Sequence, residues 1–286
     1  MNMWFILPIL SGISQAFWSA ISKKTVSKIN IYWVTFSLTA FSLPFIFFSL
    51  FWFDLSPLNW TFWWSTFVSA ILSLLGLILT VKAFKLGDLS MLQPLFSFIP
   101  VFLVLTSIPL LNEIPSLAGF LGILLIVAGT YFVNLGKGKG ILGPFIALAN
   151  NKAARLILLV CVIYSVSSAT NKIAVQSSNP ATYIIFVQTM MALMLIPFIL
   201  KLKEKIDDLK PQMGWLFFMG ILVALELFFQ MIALQMTLAS YVISLKRISA
   251  VVSVVIGITA FKESGASNKL AGSILMILGA ILISLS

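Results

Sequence analysis

Residues 113–134, EIPSLAGFLGILLIVAGTYFVN, and residues 263–286, ESGASNKLAGSILMILGAILISLS, decide the fold. Each is a glutamate followed within a few positions by a long apolar run. A run of about 20 residues covers the roughly 30 Å of a bilayer's hydrocarbon core at 1.5 Å per residue. Glu113, Gly122 and Gly129 return as Glu263, Gly272 and Gly279, each 150 positions later. Apolar coincidences mean little in an apolar chain, so the glutamate and the two glycines carry the signal of a duplication.

The composition agrees. Of 286 residues, 60% are hydrophobic and only 9% charged, more apolar surface than a soluble domain of this length can hide. In lipid every backbone polar group must be satisfied within the chain, which leaves helices or a closed barrel. Barrel strands alternate and these runs do not. Spans are expected at about 3–22, 31–53, 60–81, 91–111 and 115–134, then at 156–174, 182–200, 213–236, 238–261 and 270–285. Residues 1–20 lack a basic region and read as a first span rather than a cleaved signal.

The duplication extends beyond the opening pair. At the 150-residue offset Ala83 meets Ala233 and Ser90 meets Ser240; at 149, Ser19 meets Ser168, Ala20 meets Ala169, Lys23 meets Lys172 and Asn30 meets Asn179. Five spans is an odd number, so the second half enters the membrane from the opposite side. The expected fold is therefore an all-α integral membrane protein of ten transmembrane helices, arranged as two inverted five-helix repeats at 1–135 and 156–286. The glycine- and lysine-bearing connector 136–155 joins them. Inverted repeats are a common basis of alternating access in secondary transporters.

These residues resemble the EamA-type members of the drug/metabolite transporter superfamily. The first half carries Ala83-Phe84-Lys85-Leu86-Gly87-Asp88-Leu89-Ser90, then Pro94 and Pro100, Asn112-Glu113, and Gly122 with Gly129. The second carries Ser244-Leu245-Lys246-Arg247-Ile248-Ser249 and Phe261-Lys262-Glu263. The resemblance implies a transporter whose first and sixth helices line a cavity, which brings in Trp18 and Asn171. The second span lacks the arginine often found there in the family, so no role of that arginine carries over.

Several function classes recede. There is no histidine and only one cysteine, Cys161, which removes the commonest metal ligand, any multi-cysteine site and an internal disulfide. No acid cluster lies within a span, so neither catalytic residues, a metal nor a cofactor is expected, and the chain does not read as an enzyme. A phosphate-binding loop of the Gly-Lys-Ser/Thr type is also missing. The net charge of +10 sits in short inter-span loops and suits phospholipid head groups rather than nucleic acid.

Candidate site residues follow from the cost of charge in lipid, at least about 2.5–3.5 kcal/mol near the bilayer centre unless paired or wetted. Glu226, Lys246 and Arg247 qualify, and their places in neighbouring spans put them at similar depth. Gln230 lies four residues beyond Glu226 on the same helix face, with Tyr241 opening the next span. Gln15, Trp18 and Asn171 complete the expected substrate-binding set. Lys246 and Arg247 point about 100° apart, so only one is expected to aim squarely at a cavity while the other pairs or snorkels. Glu226, the acid deep in a span, is the candidate for proton coupling. Pro44, Pro94, Pro100, Pro109 and Pro197 are expected to kink spans. Glu113 and Glu263 read as helix caps, Gly122, Gly129, Gly272 and Gly279 as packing positions, and Trp52, Trp60, Trp63 and Trp64 as an interfacial belt.

The expected function is a secondary transporter of the cell membrane, moving a small polar organic solute such as an amino acid or other metabolite, anionic or zwitterionic. The competing reading is a lipid-carrier flippase, or an accessory subunit binding a lipid-linked head group. Fifteen loop cations, among them Lys23, Lys85, Arg155, Lys201 and Lys269, fall on one face and only Lys172 on the other. By the positive-inside rule the first face is cytoplasmic and both termini lie outside, although the family resemblance implies termini inside. A Gly138→Cys probe in a Cys161→Ser background should accordingly escape an impermeant thiol reagent added to intact cells; labelling from outside reverses the orientation.

Overall fold

The computed structural model describes residues 4–51, 53–87, 92–134, 151–202, 206–247, 249, 252 and 266–286. Trp52, Lys262, Glu263, the connector positions 136–150 and most of the ninth span beyond Arg247 lie outside them. The described chain is helical: α1 (Ile6–Val26), α2 (Ile31–Ala40), α3 (Trp60–Leu86), α4 (Phe98–Leu111), α5 (Leu117–Asn134), α6 (Lys152–Gln176), α7 (Pro180–Leu200), α8 (Met213–Met236), α9 (Ala239–Lys246) and α10 (Ala266–Ser284). Ile31–Phe51, Trp60–Leu86, Lys152–Gln176, Pro180–Leu200 and Lys210–Met236 are each long and apolar enough to cross a membrane by length and composition. Shorter apolar helices, Leu95–Leu111, Leu117–Gly129 and Ile274–Ser284, accompany them. α1 is more polar, and its Ser11, Ser14, Gln15, Ser19 and Ser22 are all buried in the bundle.

Local chemistry sets the ends of these helices. Asn30 and Asn179, the pair matched at an offset of 149, are both N-caps: their side chains accept from the Tyr32 and Thr182 amides, opening α2 and α7. Asn59 and Asn151 cap α3 and α6 in the same way, occupying amide groups that the helix itself leaves unbonded. Pro44 follows the break after Ala40, and the second span continues as Leu43–Phe47 and a 3₁₀ turn over Phe48–Phe51. Pro94 sits in the 3₁₀ turn Gln93–Ser97 that precedes α4. Asn112 ends α4 in the left-handed conformation, φ 53°, which asparagine tolerates better than most residues.

Packing across the halves comes in matched pairs. α1 packs on α8 and α9, and its counterpart α6 packs on α3 and α4; α2 packs on α8 as α7 packs on α3; α2 meets α7 and α5 meets α10. The last contact is made by the repeated glycines. A Cβ at Gly122 would lie 2.7 Å from the Gly279 carbonyl oxygen, and one at Gly129 would lie 2.6 Å from that of Gly272. The sequence order is reversed between the two contacts, so α5 and α10 run antiparallel. Backbones this close leave no room for a side chain. Replacing Gly279 by Leu should lower stability by at least about 1–3 kcal/mol through overpacking, read as the thermal midpoint of the purified protein. Gly214→Leu, where nothing lies within 4 Å, should leave it unchanged; equal effects would contradict this packing.

Candidate functional site

Charge meets charge where α1, α8 and α9 converge. α1 can approach α9 because residue 12 is glycine: a Cβ there would lie 2.4 Å from the Lys246 carbonyl oxygen. This approach brings the Trp18 and Gln15 side chains to the polar face of α8 and α9. The Glu226 carboxylate accepts on one oxygen from Lys246 Nζ, in an ion pair, and on the other from Trp18 Nε1. Lys246 Nζ also donates to Gln230 Oε1, the residue one helical turn beyond Glu226. Arg247 donates through Nη2 to Gln15 Oε1 at 3.1 Å and through Nε to the Ile243 carbonyl at 3.3 Å.

These groups line an interior cavity of about 140 Å³, room for about five waters at roughly 30 Å³ each. Lys246, Arg247, Glu226, Gln230, Trp18, Gln15 and Asn171 all face it. They are at least nine-tenths buried. Lys246 and Arg247 both reach the lining, and Lys246 is the member of the two that is held in an ion pair. α9 ends at Lys246, and the long Arg247 side chain folds back along the helix to Ile243 while its guanidinium reaches α1. The formal charges of Glu226, Lys246 and Arg247 sum to +1. Lys246 is matched by Glu226, and no described carboxylate forms an ion pair with Arg247.

Tyr241 lies elsewhere. It precedes Lys246 by five residues, about 140° around a helix, and turns away from the cavity. Its hydroxyl accepts from the Ser116 amide at 3.0 Å and donates to Ser116 Oγ at 3.3 Å. There it lines a separate pocket with Lys172, Gln235 and Thr237. Lys172, expected as a loop cation, is itself buried: it donates to the Thr237 carbonyl and ion-pairs with Glu113, whose other oxygen accepts from the Ala239 amide at 2.8 Å. Glu113 is therefore a cap, as the sequence suggested, but of α9 in the other half. The left-handed turn at Asn112 delivers it there. Lys23, the repeat partner of Lys172, bonds the Phe84 and Gly87 carbonyls, each at 2.6 Å; Gly87 and Thr237 are themselves 150 apart.

The cavity is also lined by a neutral network, of which only Asn171 stands out in the sequence. Tyr183 donates to Asn171 Oδ1 at 2.6 Å, and Ser73 and Ser167 share a hydrogen bond at 2.7 Å. Gln188 also faces the cavity. Single polar residues in an apolar span are the available signal, since only a buried neighbour satisfies them there. The phase of each around its helix is what the sequence leaves open.

A model described as the EamA-like transporter family matches residues 2–135 and again residues 151–285. A crystal structure, described only as that of a protein, is similar in fold, with a TM-score of 0.71 at 17% identity over 99% of this chain and 96% of the other. No curated protein sequence matches.

Removing one member of the buried pair leaves the other charge stranded. Glu226→Leu should therefore cost about 3–5 kcal/mol, and adding Lys246→Leu should recover most of it, measured as thermal midpoints in detergent. A double variant no more stable than Glu226→Leu would show that the pair does not act as a unit.

Proposed function

Because the chain belongs to the EamA-like transporter family of the drug/metabolite transporter superfamily, we propose that it carries a small polar organic solute, anionic or zwitterionic, through the central cavity by alternating access. The observation that carries the solute class is the unmatched guanidinium. Arg247 is 4% exposed and faces the cavity, held by neutral acceptors with no carboxylate in ion-pair contact, and a buried cation in that state attracts a solute anion. A carboxylate accepting from the planar guanidinium fork supplies that anion with defined geometry.

Two repeats, 1–135 and 156–286, joined by 136–155, make ten spans of inverted topology in this reading. The antiparallel crossing of α5 and α10 supports it, as do the paired contacts of α1 with α8 and α6 with α3. Rocking of one repeat against the other around a fixed site then exposes the cavity to each side in turn. The bilayer is that of the cell membrane, with the lysine-rich face inside. Glu226 is the coupling acid: its carboxylate is shared between Lys246 and Trp18, so protonating it dissolves the ion pair and frees at least one donor for the solute.

Ligand panels on purified protein test the proposal. A small carboxylate at a hundred times its Kd should raise stability by about 2.7 kcal/mol, and Arg247→Gln should abolish the rise. In proteoliposomes Glu226→Gln should uncouple uptake from an imposed pH gradient. Equal stabilisation of Arg247→Gln would remove the anion site, and unchanged gradient-driven uptake would remove Glu226 from coupling.

A further inference from the structure

Among the described residues that line the cavity, every side-chain carbonyl or carboxylate oxygen already has a donor, with one exception. Glu226 is held by Lys246 and Trp18, Gln230 by Lys246, Gln15 by Arg247 and Asn171 by Tyr183. The exception is Gln188 Oε1, which has no hydrogen-bond partner although the residue is 4% exposed and lines the cavity. Buried acceptors are normally bonded, and an unbonded one calls for a reason.

Its position supplies one. Gln188 stands on α7, which packs on α2 and α3, whereas Arg247 follows the end of α9, which packs on α1, α4 and α5; both helices also touch α6 and α8. The two residues therefore reach the cavity from different helices. The space between them is small, about 140 Å³. A cation at one wall and, at another, an unbonded amide that a turn about its terminal torsion can present to the cavity suit one short molecule that bears a negative charge and a hydrogen-bond donor a few bonds apart.

Resting on the anion site proposed above, we propose that Gln188 is the specificity residue of the cavity. Its Oε1 accepts a hydrogen bond from an O–H or N–H of the solute while the solute's carboxylate lies against Arg247. The preferred class is then a small monocarboxylate carrying a hydroxyl or amino group, and a plain alkanoate leaves Gln188 unbonded. Sites built to hydrogen-bond a substrate group discriminate well against analogues that lack it, because the site's own polar atom is stranded.

Two matched pairs of probes test this: lactate against propionate, and 3-hydroxybutyrate against butyrate, titrated calorimetrically into wild type, Gln188→Leu and Gln188→Met. Wild type should prefer each hydroxy acid by about tenfold, the worth of one buried hydrogen bond. Both variants should lose that preference while binding propionate and butyrate at least as well as wild type. Methionine conserves volume, so it keeps the test alive if leucine unfolds the protein. A preference that survives in the variants, or none in wild type, overturns the role of Gln188. If wild type binds none of the four acids, the anion site itself fails, and the role of Gln188 with it.

Discussion

A carboxylate inside an apolar bundle persists only with donors on its oxygens, and Glu226 has one on each. Lys246 and Trp18 supply them from α9 and α1, so this one side chain ties three helices drawn from both halves of the chain. Gly12 permits the approach, and Gln230 takes up another of the lysine's protons. With Lys246 matched in this way, the positive charge of Arg247 is left over. A lipid-facing position would expel such a charge toward the interface; here the guanidinium is enclosed, beside a cavity.

The rest of the framework is symmetric where it bears load and asymmetric where it bears charge. Asn30 and Asn179 cap equivalent helices, Lys23 and Lys172 bond equivalent carbonyls, and the glycines of α5 and α10 meet reciprocally. The exception lies at the cavity. Phe96 and Ser97 stand where the second half has Lys246 and Arg247, and Phe96 is buried edge-on against Phe84 at 6.4 Å. One copy of the repeat fills its volume with an aromatic ring, while the other places charge there.

Much of this was legible in the sequence because lipid punishes exceptions. Glu226, Lys246 and Arg247 stood out since nothing but a partner or a cavity tolerates them, and Gln230 followed from helical periodicity. Gly122 with Gly129 could be read because seven residues return to one helix face. Tyr241 was misplaced for the complementary reason: a tyrosine can bond in many settings, and five residues of helix carried it around to Ser116. Lys172 looked like a loop cation because its acid partner, Glu113, lies far off in sequence. Gln188 was silent, since one amide in an apolar span does not reveal whether it faces a helix, lipid or a cavity.

The central claim is that the enclosed guanidinium marks the place of the solute's carboxylate. Its most direct measurement is a crystal structure with 2-bromopropionate, whose bromine is located by anomalous scattering. One anomalous peak is expected inside the cavity within about 6 Å of Arg247, a carboxylate salt-bridge distance plus three bonds at tetrahedral and trigonal angles. A peak only in the pocket beside Lys172 and Tyr241, or none within the bundle, would contradict it.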